Sequence, residues 1–444
     1  MTEIPVTIKR SNSRQEVAER EISFSPIFTT YPERSIPFRE KAWKAFEALP
    51  FPSKSDEAWR RTDISKMPVD QFSFEVSQDS EEIPESFLVP IADKEHSGQV
   101  ILRNDVASVY LDETLRKQGV IFTDLKTAWM NHPELMEKIA GELIKPSEDK
   151  FAALSFAAAK SGILLYVPRS VIIENPLHSL TWFSGQGTAN FSNIYIVLEE
   201  NAQATYVHES ASPSQSMKDS MHAGVMEIHV MAGAKLRFVE LQLWGENVWN
   251  FSHERVRVER NGIVEWIFGA LGSKVTKNFS DLELTGEGST GKVSGFYFTH
   301  GKQHLDHDTQ QNHLARNTTS DLLYKGALVG ESRSVWQGMI YVSKEASKTD
   351  GYQANRNLLL DKRSRADSIP GLEILTDDVR CSHGATVGKI DPEELFYLES
   401  RGLPKEDAER LVVEGFFDPI MQRIPFEGVR NRFQQAILEK MKGS

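Results

Sequence analysis

A recurring strand, tight turn, strand unit in the middle of the chain limits its possible folds more than any other feature. Val197-Leu-Glu-Glu-Asn201-Ala, His229-Val-Met-Ala-Gly233-Ala, Arg257-Val-Glu-Arg-Asn261-Gly and Glu283-Leu-Thr-Gly-Glu287-Gly align on Asn201, Gly233, Asn261 and Glu287, which fall 32, 28 and 26 residues apart. Intervals of this size mark stacked supersecondary units, and their unevenness speaks against a strict solenoid. Around them, residues 161–387 carry short alternating or β-branched runs, such as Ile194-Tyr-Ile-Val-Leu198 and Phe296-Tyr-Phe298, separated by Gly and Asn turns. The pattern predicts a mainly β core of uneven stacked coils, a right-handed parallel β-helix. A β-sandwich also shows frequent short strands and is the competing arrangement.

Both flanks read as helical. Ser35-Ile-Pro37 precedes Phe38, Ala42, Trp43, Phe46 and Leu49, a 3- and 4-spaced apolar set, and 125–143 repeats that pattern around Trp129, Leu135, Met136 and Ile139. Residues 70–99 are acidic and punctuated by Pro84 and Pro90, a loop leading into a strand at Val100-Ile-Leu102. Past Gly388, Asp391 can cap a helix that Gly402 ends, Pro404 opens a second that stops at Gly415, and Phe433, Ala436, Ile437 and Met441 mark a third. The 444 residues therefore divide into an α-rich N-terminal domain (1–160), a β-helix core (161–388) and a C-terminal helical domain (389–444). Three short helices cannot close a core alone, so Phe416, Phe417, Ile420 and Met421 are expected to contact either the β region or a partner protein.

A formal net charge of −12 disfavours a surface that tracks phosphates, so no nucleic-acid partner is expected. The longest apolar stretch, 154–167, is interrupted by Lys160 and too short to span a bilayer, which predicts no membrane segment. One cysteine, Cys381, and a start without the basic-then-apolar order of a secretory signal point to the cytoplasm.

Three constellations could carry chemistry. Gly286-Glu-Gly-Ser-Thr-Gly291-Lys292 has phosphate-loop spacing, but Val293 stands where a magnesium-binding hydroxyl belongs and a strand follows where a helix should; a Gly-rich β turn is expected. His300, His304, His307 and His313 with Asp306 and Asp308 are the densest set of possible metal ligands. On a strand, His304 and Asp306 share a face while His307 points to the other, so the expectation is a hydrogen-bonded polar patch and no intrinsic cofactor. Cys381-Ser382-His383 sets a thiol and an imidazole on one face if extended, where they could meet one soft metal or simply be a buried thiol beside a structural histidine.

The longest specific run is Pro370-Gly-Leu-Glu373-Ile-Leu-Thr-Asp377-Asp378-Val-Arg-Cys381-Ser-His383-Gly-Ala-Thr-Val-Gly388, followed by Leu395-Phe-Tyr-Leu398 and Ser400-Arg-Gly402. It resembles the SufB/SufD family of iron-sulfur cluster assembly proteins, most closely its SufD branch. Leu305-Asp306-His307, Leu322-Leu-Tyr-Lys325-Gly and Asp56-Glu57-Ala-Trp59-Arg60-Arg61-Thr62 extend the likeness over most of the chain.

The resemblance implies a non-catalytic scaffold subunit that pairs with a SufB-like paralogue through its β-helix and docks a SufC-like ATPase through its C-terminal helices. It implies a nascent cluster at the heterodimer interface, with His383 as a transient iron ligand opposite a partner cysteine and Cys381 in the same motif. The cysteine that the SufB type carries near Gln353-Ala354-Asn355 is missing here. Competing readings are the SufB role in the same complex, a purely structural adaptor for the ATPase, and a polysaccharide-cleaving β-helix enzyme using Asp306 and Asp308.

Overall fold

The computed structural model describes residues 22, 24–74, 82–88, 96–214, 216–424 and 426–442. Its strands are β1 (Gly98–Arg103), β2 (Val106–Leu111), β3 (Ile121–Asp124), β4 (Ser161–Val167), β5 (Leu177–Trp182), β6 (Ala189–Leu198), β7 (Gln203–Ala211), β8 (Ser220–Val230), β9 (Lys235–Leu243) and β10 (Val248–Val258). They continue as β11 (Ile263–Ala270), β12 (Val275–Leu284), β13 (Thr290–Thr299), β14 (His304–His313), β15 (Thr319–Leu328), β16 (Arg333–Val342), β17 (Thr349–Leu359), β18 (Arg365–Ile374) and β19 (Val379–Lys389). From β4 onward the chain alternates between two sheets: odd strands build one, in the order β19-β17-β15-β13-β11-β9-β7-β5-β1-β2, and even strands build the other, β18-β16-β14-β12-β10-β8-β6-β4-β3. Every pairing between β4 and β19 is parallel, which a sandwich of antiparallel hairpins would not show. The core is a parallel β-helix.

Its coils are held in register at the tight turns. Asn201, Gly233, Asn261, Gly288, Asn317 and Lys348 all adopt φ between 54° and 75°. Each donates its backbone N–H to the next turn: Asn201 to Ala232, Gly233 to Arg260, Asn261 to Glu287, Gly288 to Arg316, Asn317 to Ser347, Lys348 to Asp378. The left-handed conformation suits Asn and Gly because their side chains are short or absent. The alignment on Glu287 was one residue early, since the left-handed position is Gly288.

The lumen is two-sided. Toward the tight turns it is filled by Leu198, Val230, Val258 and Leu284; toward the longer connections it is lined by His222, Asn250, Thr276 and Asn278, which are buried and hydrogen-bonded to one another or to neighbouring coils. At its N-terminal end the helix is closed. β2 covers β1 and β3 covers β4, both antiparallel, and Leu111, Leu115, Val120 and Phe122 plug the lumen.

The helices are α1 (Ile36–Ala48), α2 (Glu85–Leu88), α3 (Glu113–Lys117), α4 (Leu125–Asn131), α5 (Pro133–Ile139), α6 (Lys150–Ala158), α7 (Pro392–Ser400), α8 (Lys405–Met421) and α9 (Glu427–Lys442). The single helix expected over 125–143 is two, because His132, at φ −133° and ψ 48°, leaves the helical region before Pro133. Buried α6 is capped by the Asp149 carboxylate, which accepts from Phe151 and Ala152 N–H. The second C-terminal helix does not stop at Gly415. It runs on to Met421, because Val413, Phe417, Ile420 and Met421 form a continuous buried stripe. This stripe and α9 pack on the outer face of the odd-numbered sheet, against Phe296, Phe298 and Leu323. Part of the acidic 70–99 stretch lies outside the described residues. No helix among the described residues is long and apolar enough to cross a membrane.

Candidate functional site: the open end of the β-helix

Among the described residues nothing caps the C-terminal end of the β-helix: β18 pairs only with β16 and β19 only with β17, so each presents an unpaired backbone edge. Apolar side chains gather there: Leu372 and Ile374 are each 37% exposed and Val387 45%. His383 lies on β19, exposed and in register with Gln353 of β17; Cys381 is half-buried and in register with Gly351. Along β17, Gly351, Gln353 and Asn355 are buried while Asp350, Tyr352 and Arg356 are exposed, so the odd positions face the lumen. Cys381 packs on Ile340, Val342 and Ala346, which places the thiol, and with it the 383 position, on the lumen face at the mouth. Burial pushes the Cys381 thiol pKa up, against a hydrogen bond from Gly351 N–H, the direction that disfavours the thiolate.

The histidine and aspartate cluster separates as strand alternation requires. Asp306 and His304 lie on the outer face of β14, and fully buried His307 stands in the lumen against Tyr297 and Phe268. On the outer face, Lys277 Nζ sits 3.1 Å from Asp306 Oδ1 and 2.9 Å from Asp308 Oδ2. Thr62 crosses over them, its hydroxyl donating to Asp306 and lying 2.8 Å from His304 Nε2. Because that hydroxyl has a single proton, His304 donates to it from Nε2. Arg61 reaches Gln337, which in turn donates to Asp308. The Trp59-Arg60-Arg61-Thr62 motif is thus a clasp that fixes the N-terminal segment over β12, β14 and β16. Among the described residues no three His, Cys, Asp or Glu side chains converge on a metal position. The Gly286–Lys292 run is the turn after β12 and the first three residues of β13, Thr290, Gly291 and Lys292.

The expected partner surface at Phe416, Phe417, Ile420 and Met421 needs correction. Phe417 and Ile420 are fully buried and Met421 nearly so, with Phe417 edge-on to Phe433 at 4.9 Å, while Phe416 lies under Lys325 Nζ at 4.8 Å. The chain's own sheet and α9 consume that apolar face. In the C-terminal helices the exposed aromatics are instead Phe396, 71% exposed, and Tyr397, 57%, on α7, a helix that buries none of its residues. Both stand in the Leu395-Phe-Tyr-Leu398 run. Adjacent aromatics followed by Leu398 cannot all face one core side of a helix, a signal available in the sequence.

Comparison with known proteins agrees with this architecture. The family model described as "SUF system FeS cluster assembly, SufBD core domain" matches residues 181–416, and "SufBD protein N-terminal region" matches residues 32–178. An iron-sulfur cluster assembly SufBD family protein of Staphylococcus epidermidis is 29% identical over 411 residues, which is 89% of this chain and 87% of that protein. The iron-sulfur cluster assembly protein SufB of Bacillus subtilis is 30% identical with the same coverage. With the core model matching more than half of its length, this chain belongs to the SufBD family of iron-sulfur cluster assembly proteins.

Proposed function

We propose that this chain is the SufD-type half of a two-part scaffold, non-catalytic by itself, which pairs with a SufB-like paralogue and carries a SufC-like ATPase on its C-terminal helices. The observation that carries the reading is the uncapped end of the β-helix, where two unpaired strand edges and exposed Leu372, Ile374 and Val387 surround His383. A like-built partner would satisfy both edges and cover these side chains. Neutral imidazole is an acceptable iron ligand and a partner thiolate a strong one, so the pair could hold a nascent cluster that neither chain holds alone. Phe396 and Tyr397 take the place of the 416–421 set as the ATPase-facing residues.

The absence of a cysteine near Gln353-Ala354-Asn355 favours the SufD role. The SufB role is the second reading, since one relative bears that name. Co-expression with candidate SufB-like and SufC-like proteins tests the proposal: wild type should elute as a complex, and Leu372→Lys with Ile374→Lys should release the SufB-like chain while leaving the ATPase bound. Stable cluster on the isolated chain would favour the SufB role.

A further inference from the structure

His383 does not sit on an independent strand end. The residue in register with it one strand inward is Gln353, fully buried, and its side-chain amide crosses the lumen. Gln353 Nε2 donates to Gly338 O on β16 at 3.2 Å and to Gly371 O on β18 at 2.8 Å. Among the described residues β18 has no neighbour on its outer side. The edge strand opposite His383 is therefore fastened through the lumen by the side chain one strand spacing from His383. Glycine at 338 makes room for this brace, because a Cβ there would lie 2.5 Å from Gln353 Oε1 and 2.2 Å from the Trp336 ring. Oε1 itself is buried with no hydrogen-bond partner among the described residues. A buried acceptor left unused costs stability, and a carbonyl oxygen is the kind of group to which a metal-ligating imidazole donates its second N–H.

Both amide protons are committed to carbonyls of two different strands of the even-numbered sheet, while the residue's backbone belongs to the odd-numbered one. The side chain thus sets the separation of the two sheets at the last coil, which decides where the His383 imidazole stands relative to the two edges a partner would extend. We infer that Gln353 is the positioning residue for His383, a lumenal brace that fixes the imidazole against the β18 edge. The inference rests on the reading of His383 as an iron ligand, and it assigns no contact between Gln353 and the cluster.

The test uses the complete complex with the SufB-like and SufC-like partners, isolated anaerobically. Gln353→Met keeps the length and removes both donors and the acceptor; Gln353→Glu keeps the length and the acceptor character but loses the donors. Both variants should pair as wild type does, retain about tenfold less iron and sulfide, and lose the imidazole nitrogen hyperfine coupling of the reduced cluster in electron-nuclear double resonance. Wild-type iron content with unchanged nitrogen coupling in both would overturn the inference. So would loss of pairing in step with loss of iron, which would make Gln353 a general support of the edge. His383→Ala in the same series separates the two layers: if it keeps its iron, the ligand reading fails, and if it alone loses iron, only the brace fails.

Discussion

Lys277 and Asp306 form an ion pair of 3.1 Å with both side chains fully buried, beneath Thr62 and with Asp308 as a second carboxylate at 2.9 Å. Burial raises the Asp306 pKa to about 6, and the Lys277 ammonium opposes that rise. Removing the cation leaves two carboxylates facing each other out of water. Lys277→Met should therefore cost about 3–5 kcal/mol, read as a shift of the urea midpoint.

Two left-handed glycines, Gly288 in the turn ladder and Gly301 in the β13–β14 connection, make a sharper comparison. Gly288 has φ 75°, and a Cβ there would stand 2.4 Å from Asn261 Oδ1; Gly301 has φ 58° and open space around it. Gly288→Ala should destabilise by more than the roughly 1–2 kcal/mol that the left-handed backbone alone imposes, whereas Gly301→Asn should be neutral within about 0.5 kcal/mol. Thermal unfolding of the two variants measures the difference.

The stacked-coil core could be read from the recurring turns because the left-handed position favours Asn and Gly, which fill five of the six such positions and stand out against strand sequence, Lys348 being the exception. The direction of the strands followed once those turns were stacked. Less legible was the end of α8: Gly415 reads locally as a stop, but tertiary burial of Phe417 and Ile420 outweighs roughly 1 kcal/mol of helix penalty. For the same reason the 416–421 apolar set could not be assigned to self or partner from sequence, since spacing shows that a face is apolar and not what covers it. His383 and Cys381 were singled out by their motif; that they lie on an uncapped edge is a property of chain topology, which a local run cannot contain.

Glu227 provides the pH prediction. Burial raises its carboxyl pKa to about 7, although backbone N–H groups of Ile144, Gly141 and Leu143 donate to it and oppose the rise. The folded pKa exceeds the unfolded one near 4.5, so the native state binds the extra proton. Its contribution is fully present below about 4.5 and is lost as pH rises through about 7. Comparison of Glu227→Gln with wild type should show this pH-dependent part of the unfolding free energy disappear in the variant between those limits.

The two aromatic sets of the C-terminal helices should separate fold from docking. Phe417→Ala removes a side chain packed on Phe433 and should cost about 3–5 kcal/mol. Phe396→Ala with Tyr397→Ala removes mostly exposed surface and one contact with Arg401 at 5.2 Å, and should leave the melting temperature within a degree or two, while the SufC-like ATPase no longer co-elutes.

The most direct measurement is iron and acid-labile sulfide per heterodimer in anaerobically isolated complexes carrying wild-type chain or His383→Ala, with pairing quantified in the same samples. The account predicts an intact heterodimer that has lost most of its iron and sulfide in the variant. Full cluster content in His383→Ala, or a stable cluster on the wild-type chain without its partner, would contradict it.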